Sequence, residues 1–116
     1  LASGVIISFS VRLNPEKVGL MTKAYIFLRE DPKGDLRRAN EKAVKKFYQV
    51  SKFHRLFGRY SGILEVWVRD DKELKNLVKK IHGLKGVRDT ETFIVHSTVK
   101  DKPEEPFARF LRSGTA

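Results

Sequence analysis

Two sets of residues have the chemistry to suggest a function: three histidines and one glycine-bracketed turn. His54, His82 and His96 are too far apart in sequence to form a spacing motif. No HxxxH, no Gly-rich phosphate loop after a strand and no Ser-His-Asp signature accompanies them, so no reaction is named and no catalytic residue is assigned. His54 and His96 fall on expected strands that could lie side by side; a strand histidine is more commonly packed and hydrogen-bonded than catalytic. The chain has no cysteine, which excludes disulfides, thiolate metal sites and thiol catalysis. No metal site or cofactor is expected. The turn reads "FGRYSGILEV" over 57–66, with Gly58 and Gly62 bracketing Arg59, Tyr60 and Ser61 before an apolar strand. Such a turn can be a plain hairpin, a base-stacking platform or the lip of a ligand pocket.

The elements that position this turn follow from periodicity. "GVIISFSVRL" (Gly4–Leu13) is β-rich and stops at Asn14-Pro15. "LMTKAYIFLRE" (Leu20–Glu30) reads as a strand closed by "DPKGD". Leu36, Ala39, Ala43 and Phe47 then repeat at helical spacing, with Asp35 as a cap. "VSKFHRLF" (Val50–Phe57) and "GILEVWVR" (Gly62–Arg69) read as strands flanking the turn. Asp70 and Glu73 make a capping box ahead of Leu74, Leu77, Val78 and Ile81, and Gly83 and Gly86 end that helix. "RDTETFIVHSTVK" (Arg88–Lys100) is the last strand. The tail "DKPEEPFARFLRSGTA" offers Phe107, Phe110 and Leu111 as docking residues.

The order after Leu20 is β-α-β-β-α-β, which predicts an α+β chain: a ferredoxin-like four-stranded antiparallel sheet with both helices on one face, plus an N-terminal hinge strand. Its expected parts are residues 1–19 as hinge strand and linker, 20–100 as the ferredoxin-like domain and 101–116 as the tail. With 116 residues the chain is long enough for one core. No run of 18 apolar residues is present, so no membrane contact is expected. One Met, one Gln and abundant Lys, Arg and Glu suit a cytoplasmic, thermophile-like protein. The formal charge of +10 suits a polyanionic partner and, equally, a solvated thermophile-like surface. The cations, however, are scattered (Arg37, Arg38, Lys42, Lys45 and Lys46; then Lys72, Lys75, Lys79 and Lys80), mostly on the outer faces of two helices and not on one sheet face or loop, which weakens the case for nucleic-acid binding by this domain.

A sheet with one wet face alternates apolar and polar residues, and these strands do not. Ala24, Ile26 and Leu28 oppose Tyr25 and Phe27; Leu64, Val66 and Val68 oppose Ile63 and Trp67; Ile94 opposes Phe93 and Val95. Two helices cover one face only. Tyr25, Phe27, Ile63, Trp67, Phe93 and Val95 are therefore expected at a homodimer interface, with the tail or the first strand as the rival cover. An RNA-binding module shares the topology, but its third strand needs rings where Ser61, Ile63 and Val66 stand.

The same residues carry a family resemblance. Gly58-Arg59-Tyr60, Asp71-Lys72-Glu73-Leu74, Gly86-Val87 and Thr90-Glu91-Thr92, with "GVIISFSVRLNPEKVGL" upstream, are similar in order and spacing to the effector (RAM) domain of the Lrp/AsnC, or feast/famine, transcriptional regulators. The resemblance spans about Gly4 to Lys100. It implies a non-enzymatic domain that dimerises sheet to sheet, assembles into higher oligomers and binds an amino acid or related effector between subunits near the turn. Gly58, Arg59, Tyr60, Ser61, Thr90 and Thr92 are the effector-binding residues it implies. DNA would be bound only through an N-terminal helix-turn-helix domain that this chain does not contain. One departure stands out: the family's Asp after Tyr is Ser61, a neutral hydroxyl where a carboxylate would pair with an ammonium. Arg59 could instead hold a carboxylate or phosphate. Some relatives of the fold are haem-precursor decarboxylases that use histidine, which keeps a decarboxylase-like role for His54 and His96 as an alternative.

Overall fold

The structure, a computed structural model, describes residues 21–114. Strand β1 (Thr22–Glu30) leads to helix α1 (Gly34–Val44), strands β2 (Val50–Arg55) and β3 (Gly62–Val68), helix α2 (Asp71–His82), strand β4 (Val87–Ile94) and helix α3 (Glu105–Gly114). The four strands form one antiparallel sheet in the order β2-β3-β1-β4. This is the ferredoxin-like βαββαβ arrangement. The hinge strand expected over Gly4–Leu13 lies outside the described residues.

Alternation along the strands decides the core. In β1 and β3, Ala24, Ile26, Leu28, Leu64, Val66 and Val68 are fully buried, and the register pairs Ala24 with Val66 and Ile26 with Leu64. Val44 of α1 and Leu74, Leu77 and Ile81 of α2 close over them in the same cluster. Both helices therefore cover one face. Each fully buried aliphatic side chain there contributes about 1.5–3 kcal/mol.

The helix starts show what local sequence does. Asp70 is the N-cap of α2 and accepts the Glu73 backbone N–H at 2.8 Å. Glu73 reaches back one residue further than a capping box requires, accepting the Arg69 N–H at 2.7 Å. The cap expected at Asp35 is different: Lys33 is the N-cap of α1 without a side-chain bond, and Asp35 stands inside the first turn. Asp31 organises this start instead, its carboxylate accepting the Lys33 N–H at 3.0 Å.

Three further expectations change. The last strand ends at Ile94, not Lys100: the Val95 N–H still donates to the Lys23 carbonyl at 2.9 Å, but β1 begins at Thr22 and offers no further ladder among the described residues. The tail forms α3, with Phe107, Phe110 and Leu111 exposed at i, i+3 and i+4. His54 and His96 do not meet. His54 is on β2 and His96 follows β4, and these strands are the opposite edges of the sheet.

Candidate functional site

The turn between β2 and β3 is held by backbone bonds. The Leu56 N–H donates to the Ser61 carbonyl at 3.0 Å, and the Ser61 N–H donates to the Leu28 carbonyl at 2.8 Å. Gly58 sits at φ +136°, a conformation that a side chain would strain. Tyr60 and Ser61, adjacent in sequence, leave this turn toward opposite faces of the sheet.

Tyr60 goes to the face without helices. Its ring centroid is 5.1 Å from that of Phe27, and Phe27 meets Phe93 edge-on at 5.7 Å. Its hydroxyl donates to the Glu91 carboxylate, and that bond holds the phenol above its ordinary titration range. The Arg29 and Arg59 guanidiniums flank the ring at 5.8 and 5.9 Å from its centroid. Neither makes an ion pair among the described residues. A carboxylate, a phenol, two available guanidiniums and an apolar floor thus meet at one exposed corner.

Ser61 goes to the helix side. Its hydroxyl donates to Glu30 Oε1 at 2.5 Å. The Glu30 side chain is fully buried, in line with Ala24, Ile26 and Leu28 on β1. Asn40 of α1 donates to Oε2 at 2.8 Å and Arg55 of β2 donates to Oε1. Arg55 in turn donates to Glu41 at 2.9 Å. Burial by itself pushes the Glu30 carboxyl up, but the bonds from Ser61, Asn40 and Arg55, with the guanidinium charge, hold it below the usual carboxylate range. Gly86 completes the cluster by close approach: a Cβ there would stand 2.5 Å from Asn40 Nδ2. The arrangement is a polar lock joining β1, α1, β2 and the turn.

The residues singled out from sequence are therefore distributed. Gly58, Arg59 and Tyr60 lie at or beside the exposed corner. Thr90 and Thr92 pair with Leu28 and Ile26, which places them on the helix side with Ser61. Glu91 between them pairs with Phe27 and faces Tyr60. Sequence reasoning did not single out Glu30, Arg55, Asn40 or Glu91. Glu30 was readable, since the period-2 run Ala24-Ile26-Leu28 puts it inward; its three partners were not.

Tyr25, Phe27, Ile63, Trp67 and Phe93 share the face without helices by register, and Val95 follows one alternation beyond Phe93. The first four are half-buried, and Phe93 is 51% exposed. Glu65 lies among them with its charge met inside the chain. Tyr25 donates to it at 3.1 Å and Ser51 at 2.8 Å, and Lys23 Nζ is 3.6 Å away. The same lysine stands 5.4 Å from the Trp67 ring centroid and 5.5 Å from that of Tyr25. Partial burial raises the Glu65 carboxyl, and the Ser51, Lys23 and Tyr25 interactions lower it by more.

A shallow hollow of about 510 Å3 lies elsewhere, at the start of α3 between Lys100 and Arg109. Among the described residues no group of three or more His, Asp or Glu side chains is placed to hold a metal ion, and no helix is long and apolar enough to cross a membrane.

Comparison with known proteins meets this geometry. Residues 23–105 match the Lrp/AsnC ligand-binding domain. The proline dehydrogenase transcriptional activator of Rhizobium radiobacter is 31% identical over 101 residues, 84% of this chain and 64% of that protein. A Neisseria meningitidis transcriptional regulator solved with L-methionine superposes with a TM-score of 0.76 at 22% identity, over 90% of this chain and 71% of that one. A feast or famine regulatory protein of Mycobacterium tuberculosis, also complexed with L-methionine, gives a TM-score of 0.65 at 27% identity, over 87% and 67% of the two chains. The chain belongs to the Lrp/AsnC family of transcriptional regulators, and residues 23–105 carry that family's ligand-binding domain.

Proposed function

We propose that this chain is the effector-sensing and oligomerisation part of an Lrp/AsnC-type regulator, working by assembly and not by catalysis. The observation that carries the reading is the aromatic face of the sheet: Tyr25, Phe27, Trp67 and Phe93 stand together on the side that neither α1 nor α2 covers. A second copy would remove this patch from water at about 25 cal/mol per Å2. Glu65 supports the reading, because its oxygens are already met by Ser51, Tyr25 and Lys23 and so tolerate being covered. Residues 20–100 form the working domain, with 1–19 as hinge and linker and 101–116 as an appended tail. DNA contact belongs to a helix-turn-helix domain of the kind the relatives' names describe, in a cytoplasmic regulator.

The effector is a small amino-acid-like molecule bound between subunits at the exposed corner of the turn. The relatives solved with L-methionine support that class. Ser61 brings no charge to pair with an ammonium, and its hydroxyl is turned to the buried Glu30. Glu91, beside Tyr60, offers the carboxylate that Ser61 lacks, and Arg29 and Arg59 offer partners for the effector's own carboxylate. Binding shifts the balance between dimer and higher oligomer and so re-spaces attached DNA-binding domains.

Light scattering at micromolar concentration is expected to give a dimer or larger; a monodisperse monomer overturns the assembly reading. In thermal-shift titrations with an amino-acid panel, at least one member is expected to raise the melting temperature, a saturating ligand at 100 times its Kd adding about 2.7 kcal/mol. Glu91→Gln is expected to abolish that response. A panel without effect, followed by a response to RNA, would move the reading to a nucleic-acid module.

A further inference from the structure

The cations that are scattered in sequence are gathered by the fold. Val44, Leu74, Leu77 and Ile81 turn α1 and α2 onto the same sheet face, so their opposite sides form one outer layer. Arg38, Lys42 and Lys45 occur at i, i+4 and i+7 at α1 and its C-cap, and all three are exposed. Lys72, Lys75 and Lys79 repeat at i, i+3 and i+7 on α2 and are exposed as well. At about 1.5 Å of rise per residue, each set is a row roughly 10 Å long. None of the six makes an ion pair among the described residues.

The acids of these helices do not interrupt the rows. Glu41 is turned to Arg55 at 2.9 Å, and Glu73 is taken by Tyr48, Gln49 and the Arg69 N–H. Asp35 and Asp71 sit in the first turns, where the helix dipole favours them. Like charges at these spacings cost an isolated helix a few tenths of a kcal/mol per pair. A surface built only for solubility interleaves the two signs. Neither helix contains Phe, Tyr or Trp; the exposed ring beside them, Tyr48, is a single one, tied by its hydroxyl to Glu73, not a row on which successive unpaired bases stack. Charge without such a row suits the phosphodiester backbone of a duplex, contacted without reading its sequence.

We propose that the outer surface of α1 and α2 is a second, sequence-independent contact for double-stranded DNA, separate from the effector corner and from the aromatic face. It steers and holds DNA that another domain reads.

The test is fluorescence anisotropy of this chain with a labelled duplex of arbitrary sequence, titrated at several KCl concentrations. Binding is expected at ~50 mM KCl, with log Kobs falling linearly in log[KCl]. The triple variant Lys72→Gln, Lys75→Gln, Lys79→Gln is expected to lose at least about tenfold in affinity and to flatten the slope by up to about 0.9 per phosphate contact removed. The matched variant Lys52→Gln, Lys100→Gln, Lys102→Gln loses the same net charge away from the helices and is expected to stay within about twofold of the parent. Circular dichroism establishes that both variants keep their helices. No anisotropy change at ~50 mM KCl, or equal losses in the two variants, overturns the proposal; equal losses would mean that net charge alone attracts the DNA.

Discussion

Glu30 and Glu65 stand on opposite faces of the sheet and are finished differently. Glu30 lies on the helix side with its side chain fully covered, between Ser61, Asn40 and Arg55. Glu65 lies on the aromatic side, 12% exposed, between Tyr25, Ser51 and Lys23. On the helix side, among the described residues, no buried side-chain nitrogen or oxygen lacks a hydrogen-bond partner. On the aromatic side Glu65 is met as fully, yet Phe93 is left half in water, and Arg29 and Arg59 make no ion pair among the described residues. In the proposed assembly this is the face that takes a partner surface. On that proposal the contrast separates what stabilises the domain from what would let it assemble.

The largest expected effect lies on the helix side. Arg55→Ala leaves Glu30 buried without its cation and should lower unfolding free energy by about 3–5 kcal/mol in denaturant melts, with the oligomeric mass unchanged. Lys23→Ala, its counterpart beside Glu65, should cost about 1 kcal/mol or less. Equal losses would erase the distinction between the two faces.

Ser61→Asp is next. It restores the carboxylate that the family resemblance expects, but sets it against Glu30 at a position where the present oxygens are 2.5 Å apart. A loss of about 1–3 kcal/mol at neutral pH follows from the broken bond and the like charge. The loss should shrink on acidification, and Glu30→Gln should rescue it. Failure of the rescue would mean that the Ser61–Glu30 pair does not govern this position.

Acid offers a gentler probe of the same lock. The Glu30 carboxyl is held below its unfolded value, so the unfolded chain binds the proton more readily. The stabilisation is fully present above the ordinary carboxylate range, about pH 4.3, and is lost as pH falls through the folded value. Glu30→Gln should flatten that acid limb.

The smallest effect on folding belongs to the aromatic side. Phe93→Lys should change chain stability by about 1 kcal/mol, yet shift the light-scattering mass toward monomer by placing an unpaired charge in the interface. A variant that stays folded and dimeric would put the interface elsewhere.

Much of this could be read along the chain. Period-2 alternation over 24–28 and 64–68 located the core, and the i, i+3, i+4, i+7 stripe at Leu74, Leu77, Val78 and Ile81 located α2, because both patterns are local consequences of backbone geometry. The apolar residues at Tyr25, Phe27, Trp67 and Phe93 already showed a sheet with two greasy faces. The turn was legible as a turn, since Gly58 supplies the φ that its geometry requires. Asp35 was misread as a cap because the Asx bond that starts α1 comes from Asp31, two residues before the N-cap.

What the sequence could determine by itself was therefore periodic: element types, the inward and outward sides of each strand, and the excess of positive charge. Only the tertiary structure decided which of these residues meet. Glu30 finds Asn40, Arg55 and Ser61 at separations of 10, 25 and 31 residues, and Tyr60 finds Glu91 across 31. The strand order β2-β3-β1-β4 sends His54 and His96 to opposite edges, and the shared core brings the cations of α1 and α2 to one side. Register and strand order are properties of the whole sheet, which no local propensity encodes. For that reason Tyr60 and Ser61, neighbours in the chain, serve different faces of the molecule.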